Sequence, residues 1–239
     1  MLLMALVTVP RPGAAASLAD QEIERRPAAA AAEQAAEPFG DVAPELIDGP
    51  IAEKWRGVQR AVAAEAALLD LCRATPVLCP APAALEFLAI VNQAVRQNGL
   101  AGAGEINRAV NLDIRPAADF DRFQVEDVWS SPIATLSAGA GDCEDYAIAK
   151  YAALRAAGIG PDDLRLVILR DPARGEDHAV ATVRIEGRWR VLDNRRLVMR
   201  DDRAFSRWRP LFVLSEAGVR RYLEEALIAA VPLAVQPYF

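Results

Sequence analysis

The apolar residues of this 239-residue chain change their spacing once, near residue 160, and that change restricts the fold more than any other feature. Before it, Ile51, Trp55, Val58, Val62, Ala66 and Leu69 recur at steps of three and four, the mark of an amphipathic helix. Leu85, Phe87, Leu88, Ile90, Val91 and Val95 predict a second helix over 83–97, ended by Gly99. A short helix or turn is expected near 106–110, and Ser130, Ser131 and Pro132 punctuate the chain. Another helix opens at Gly141-Asp142-Cys143, carries Ala147, Ile148, Tyr151 and Leu154 at helical spacing, and stops at Gly158. Beyond that point 164–169 is a β-type run, and His178 to Ile185 alternates, with His178, Val180, Thr182 and Arg184 on one face. Glu186-Gly187-Arg188 turns the chain into a second strand over 189–192, giving a hairpin. A last helix is expected over 214–230, before Pro232. Helices first and antiparallel strands later predict an α+β domain.

The ends of the chain read differently. Leu2 to Val9 is apolar and is followed by Pro10, Pro12, Gly13 and three alanines. Residues 1–16 thus read as a signal peptide, although a basic n-region is missing; a frayed apolar terminus is the alternative. The run is shorter than the roughly 20 residues that span a bilayer, and charge or proline interrupts the later apolar runs, so no transmembrane segment is expected. Residues 17–47 are Ala/Glu/Pro-rich and read as a linker, leaving 48–239 as the domain. A net charge of −6 argues against a free-standing nucleic-acid binder. Of the 27 basic residues 25 are arginine, with Lys54 and Lys150 the only lysines, which we read as compositional bias. Cys72 and Cys79 flank Pro76; in an oxidising compartment they can close a small loop, and otherwise they are two buried thiols. A single histidine excludes His-rich metal centres and makes His178 the sole imidazole available to any chemistry.

Three positions suggest a nucleophilic site. Cys143 opens a helix, where the positive end of the helix dipole and free N–H groups favour a thiolate and can hold an oxyanion. His178 begins a strand and has the titration range of a general base. Asp193, followed by Asn194, ends the next strand at the same end of the hairpin, where a carboxylate can orient the imidazole. Each has a plain alternative: a buried thiol, a histidine at a strand end, a turn residue. Asp142, Glu144 and Asp145 surround Cys143. They suit helix capping, yet their charge would raise the thiol pKa unless a cation such as Ca²⁺ neutralised them.

Residues 129–151, Trp-Ser-Ser-Pro-Ile-Ala-Thr-Leu-Ser-Ala-Gly-Ala-Gly-Asp-Cys-Glu-Asp-Tyr-Ala-Ile-Ala-Lys-Tyr, continue through Leu-Arg-Ala-Ala-Gly-Ile (154–159), His178-Ala-Val and Val191-Leu-Asp-Asn. This series resembles the bacterial transglutaminase-like cysteine proteinase family, whose best-known members are LapG-type periplasmic proteases. The resemblance covers roughly residues 85–215. It implies a papain/transglutaminase-like α+β fold with N-terminal helices followed by an antiparallel sheet. It implies a Cys143–His178–Asp193 triad, Ca²⁺ dependence with Asp142, Glu144 and Asp145 as ligands, and a periplasmic endopeptidase. The implied substrate is the N-terminal region of a large secreted adhesin, whose cleavage disperses biofilm, and the implied regulator is an inner-membrane cyclic-di-GMP receptor. Segments 113–124, 171–177 and 195–209 are less family-like. A transglutaminase-type acyltransferase and a non-catalytic calcium-binding regulatory module are the rival readings.

Overall fold

The computed structural model describes residues 37–223, apart from Asp41 and Glu126. The expected signal peptide and most of the expected linker lie outside the described residues.

Proline starts the first two long helices. Pro50 opens α1 (Pro50–Ala74) and Pro82 opens α2 (Pro82–Gln97), positions where proline's missing N–H costs nothing. Cys72 and Cys79 are joined in a disulfide across the turn between them. Asn98 ends α2 with a positive φ of 58°, and its side chain accepts from the Gly99 N–H at 2.7 Å to cap α3 (Gly99–Asp113). The short helix expected near 106–110 is therefore a full helix, built around buried Ile106, Asn107 and Val110. The strand β1 (Arg115–Pro116) precedes α4 (Asp119–Phe123). The Ser130-Ser131-Pro132 stretch caps a helix: Ser131 stands at the N-cap of α5 (Pro132–Ala138). A second short strand, β2 (Ala140–Gly141), pairs in parallel with β1 and leads into α6 (Cys143–Ala156). Residues 145–154 of α6 are all buried, so α6 is the central helix.

The second half forms one antiparallel sheet from β3 (Leu164–Asp171), β4 (Glu176–Ile185), β5 (Arg188–Leu192), β6 (Arg200–Asp201), β7 (Arg209–Ser215) and β8 (Gly218–Arg221). The order is β6-β5-β4-β3-β7-β8. One face supplies Leu164, Leu166, Ala179, Ala181, Val183, Leu192 and Leu214 to the core under the helices. The other supplies Val167, Leu169, Val180, Val191 and Val213 to a smaller core closed by Phe205, Trp208 and Tyr222. Phe39 and Val42 also reach this face: Phe39 packs against Trp208, and Val42 bridges to Tyr222.

The helix expected over 214–230 is absent from its described part. Leu214 and Ser215 finish β7, and Gly218–Arg221 return as β8. Gly218 has φ +137°, a value that side chains rarely adopt, so this glycine turns the chain back onto the sheet in place of the expected helix.

Candidate active site

The β4–β5 ladder runs from Ile185↔Arg188 to Ala181↔Leu192. Asp193 leaves the sheet one step later, beside the His178 end of β4. His178 Nε2 and Asp193 Oδ1 lie 2.9 Å apart, with side chains 0 % and 2 % exposed. The same oxygen accepts the Arg195 N–H at 3.1 Å, and Arg196 Nε stands 3.6 Å from Asp193 Oδ2. Burial alone would raise the Asp193 pKa. The hydrogen bond and charge of His178, the Arg195 N–H and the Lys150 charge reverse this, so its carboxyl titrates below the usual range. Trp208 packs against the imidazole in a T-shaped contact, 5.7 Å between ring centroids. His178 Nδ1 is buried without a hydrogen bond.

Cys143 is the first residue of α6, and the Ala179 N–H, next to His178 in β4, points at its thiol. The helix start, the His178 end of β4 and Asp193 thus meet at one place. With Asp193 holding Nε2, the free Nδ1 is the nitrogen left to exchange a proton with a nucleophile. Burial raises the pKa of the Cys143 thiol, as does the Glu144 carboxylate, whose Oε2 accepts from Sγ at 3.1 Å; Asp142 adds to the effect.

The acids around Cys143 divide into two environments. Asp142 occupies the N-cap position of α6, yet its side chain makes no capping hydrogen bond. Asp119, Asp142 and Glu144 each offer a carboxylate oxygen, all within 4.8 Å of one another. Oδ1 of Asp119 and Oδ1 of Asp142 are buried without hydrogen-bond partners. Burial and the charges of Glu144, Asp145 and Asp119 push Asp142 up to about 9, and burial raises Glu144. Unpartnered, mutually repelling oxygens of this kind suit a hard cation. Asp145 lies elsewhere. Fully buried, it pairs with Arg122 at 2.7 Å and accepts the Ser130 N–H at 2.9 Å. Its approach explains Gly141, where an added Cβ would come within 2.7 Å of the Asp145 side chain.

Nothing in the sequence points to Asp119, which stands 23 positions before Asp142 with no motif around it. The β1–β2 pairing brings the two together: Ala117 N–H donates to Gly141 O at 2.9 Å and aligns the start of α4 with the start of α6. Asn107 and Asn111 of α3 also escaped notice. Their amides donate to the carbonyls of Asp193, Arg196 and Leu197 at 2.8–3.1 Å and fasten the segment that carries Asp193. Helical spacing hinted at neither role.

Residues 59–205, which contain Cys143, His178, Asp193 and the acids around them, match the family described as bacterial transglutaminase-like cysteine proteinase BTLCP. The chain belongs to this family. It is a cysteine peptidase. The peptidase resembles Legionella pneumophila LapG, with a TM-score of 0.51 and 20 % identity over 70 % of this chain and 92 % of that one. The calcium-bound form of that protein gives a TM-score of 0.52 at 19 % identity, over 72 % and 88 % of the two chains. Its EGTA-treated form gives 0.52 at 19 %, over 70 % and 87 %. These likenesses confirm the α+β fold with its antiparallel sheet. A search of curated protein sequences finds no match. Among the described residues, no helix of the peptidase is long and apolar enough to cross a membrane.

Proposed function

We propose that the protein is a calcium-dependent periplasmic cysteine endopeptidase that uses Cys143, His178 and Asp193. The observation that carries this reading is the buried His178–Asp193 pair, at 2.9 Å, with Nδ1 unpartnered beside the strand whose Ala179 N–H points at the Cys143 thiol. Cys143 loses its proton to His178, attacks a peptide carbonyl and forms a thioester. His178 returns the proton to the departing amine, then takes one from the water that hydrolyses the thioester. Backbone N–H groups at the start of α6, including that of Cys143, stabilise the oxyanion. Asp193 keeps the imidazole in one tautomer.

Asp119, Asp142 and Glu144 are the residues that would hold calcium; Asp145 is engaged by Arg122 instead. A calcium ion there supplies positive charge that offsets the carboxylates opposing the Cys143 thiolate. The calcium-bound and EGTA-treated forms of the Legionella relative support this choice of ion. The substrate we favour is the N-terminal region of a large surface adhesin, whose cleavage releases cells from biofilm, with an inner-membrane cyclic-di-GMP receptor as regulator.

Incubation with the N-terminal region of such an adhesin and calcium tests the reading. Cleavage is expected, and Cys143→Ala and His178→Ala should each abolish it in protein that circular dichroism shows to be folded. Cleavage by Cys143→Ala would overturn the mechanism. If the native protein instead joined a supplied amine to a glutamine-containing protein, acyl transfer would replace hydrolysis.

A further inference from the structure

In a chain with 25 arginines, the two lysines occupy contrasting places. Lys54 is partly exposed and ion-pairs with Asp127. Lys150 is 0 % exposed, one of the largest fully buried side chains of the protein. It stands seven residues after Cys143 on α6, two turns along the same side of the helix. Its Nζ donates to the Leu192 carbonyl at 3.5 Å, on the residue before Asp193, and lies 5.7 Å from the centre of the Tyr146 ring.

Such a position is costly. Burial disfavours the ammonium and pushes Lys150 down to about 7, although the Asp193 charge draws it back up. A single long hydrogen bond to a carbonyl does little to offset the lost hydration. A chain that only needed to fill this space would do better with methionine. An arginine, the basic residue used nearly everywhere else in this chain, would bring a larger planar head than the compact ammonium.

The surroundings leave one charged pair for it to act on. Tyr146 is the ionisable neighbour on α6 itself, and its hydroxyl is committed to the Ile114 carbonyl. From α3 come the neutral amides of Asn107 and Asn111, which hold the 193–197 segment. From the segment after β5 comes Asp193, whose charge reaches the ammonium and which is itself paired with His178 of β4 and flanked by Arg196.

We propose that Lys150 is a positioning residue for the peptidase reaction: it secures the Leu192–Asp193 corner and couples its own protonation to that of the His178–Asp193 pair. This rests on the assignment of His178 and Asp193 to the catalytic machinery. The coupling makes the charge of Lys150 part of the proton balance that His178 must meet. With the ammonium present, an imidazolium is harder to form; with the neutral amine, it is easier.

The chain is well suited to the test, since one histidine and two lysines give few signals by NMR. The full chain carrying Cys143→Ala is titrated with labelled histidine and lysine, with Lys54 as internal reference. The His178 signal should show a second inflection that tracks Lys150. In Lys150→Met that inflection should vanish. With Cys143 restored, the Lys150→Met chain should melt no lower than the parent, and the pH profile of Cys143 alkylation should change. An unchanged His178 titration and alkylation profile in Lys150→Met would overturn the proposal, whatever the melting temperature. If Lys150→Met does not fold, the Cys143→Ala chain decides alone: independent titration of His178 and Lys150 refutes the coupling. Failure of the catalytic assignment reads out separately, as cleavage by Cys143→Ala.

Discussion

Replacing Asp193 separates the two things its carboxylate does for His178. The pair is 2.9 Å apart and sealed from water on both sides, so salt and solvent screen it little. A hydrogen bond to a charged group contributes about 1.5–3 kcal/mol, a neutral one about 0.5–1.5. Asp193→Asn keeps an oxygen that can accept from Nε2 but loses the charge, a difference of about 1–1.5 kcal/mol, or about tenfold in rate. Asp193→Ala loses acceptor and charge together. The cost rises to about 3 kcal/mol, about 150-fold, because the imidazole is then free to turn. The assay needs no substrate. With Cys72 and Cys79 bonded to each other, Cys143 is the free thiol, and its alkylation by iodoacetamide reports how readily His178 takes its proton. Rates are normalised to the folded fraction by circular dichroism, since Asp193→Ala also leaves the Lys150 charge without its nearest opposite charge. The expected order is native, then Asn, then Ala. Native alkylation rates in both variants would refute the orienting role of Asp193.

Three further outcomes are expected. Glu144→Gln removes a carboxylate that opposes the Cys143 thiolate, so calcium-free alkylation should speed up severalfold and the response to added calcium should shrink; an unaltered calcium response would exclude Glu144 as a ligand. In EGTA, folded Asp142 holds its proton to about pH 9 against 3.8 for an ordinary aspartate, so the folded state binds the extra proton between those values and stability falls as pH rises through the window. Melting curves from pH 4 to 9 should show this fall and calcium should flatten it, whereas parallel curves with and without calcium would count against the site. Replacing both Cys72 and Cys79 with serine opens a loop of sequence separation seven; the chain-entropy cost is about 2.5 kcal/mol, which should lower the melting temperature by about 5–10 °C without changing Cys143 alkylation per folded molecule.

Much of the fold could be read along the chain because it depends on neighbours in sequence. The spacing of Ile51, Trp55 and Val58 marks α1, the alternation from His178 marks β4, and Glu186-Gly187 sets the hairpin whose ladder ends at Ala181↔Leu192 and leaves Asp193 within hydrogen-bond reach of His178. Where near and distant contacts compete, local pattern misleads. Leu214 and Val219 fall within the helix expected over 214–230, but pairing of β7 with β3 and the turn at Gly218 make strands of them.

The sequence by itself determined the reactive types and their order: one histidine, one cysteine outside the 72–79 pair, a helix beginning at that cysteine, and an aspartate closing the hairpin. Tertiary structure decided which of the acids around Cys143 do which task. Asp142 and Asp145 are three residues apart on the chain, yet one keeps an unpartnered buried oxygen and the other is neutralised by Arg122. The parallel pairing of two dipeptide strands brings Asp119 to the site, and the packing of α6 beneath the sheet buries Lys150 beside the strand end that carries Asp193. No residue's own identity encodes these environments. Charge and hydration act through space, over distances that the chain sets only once it has folded.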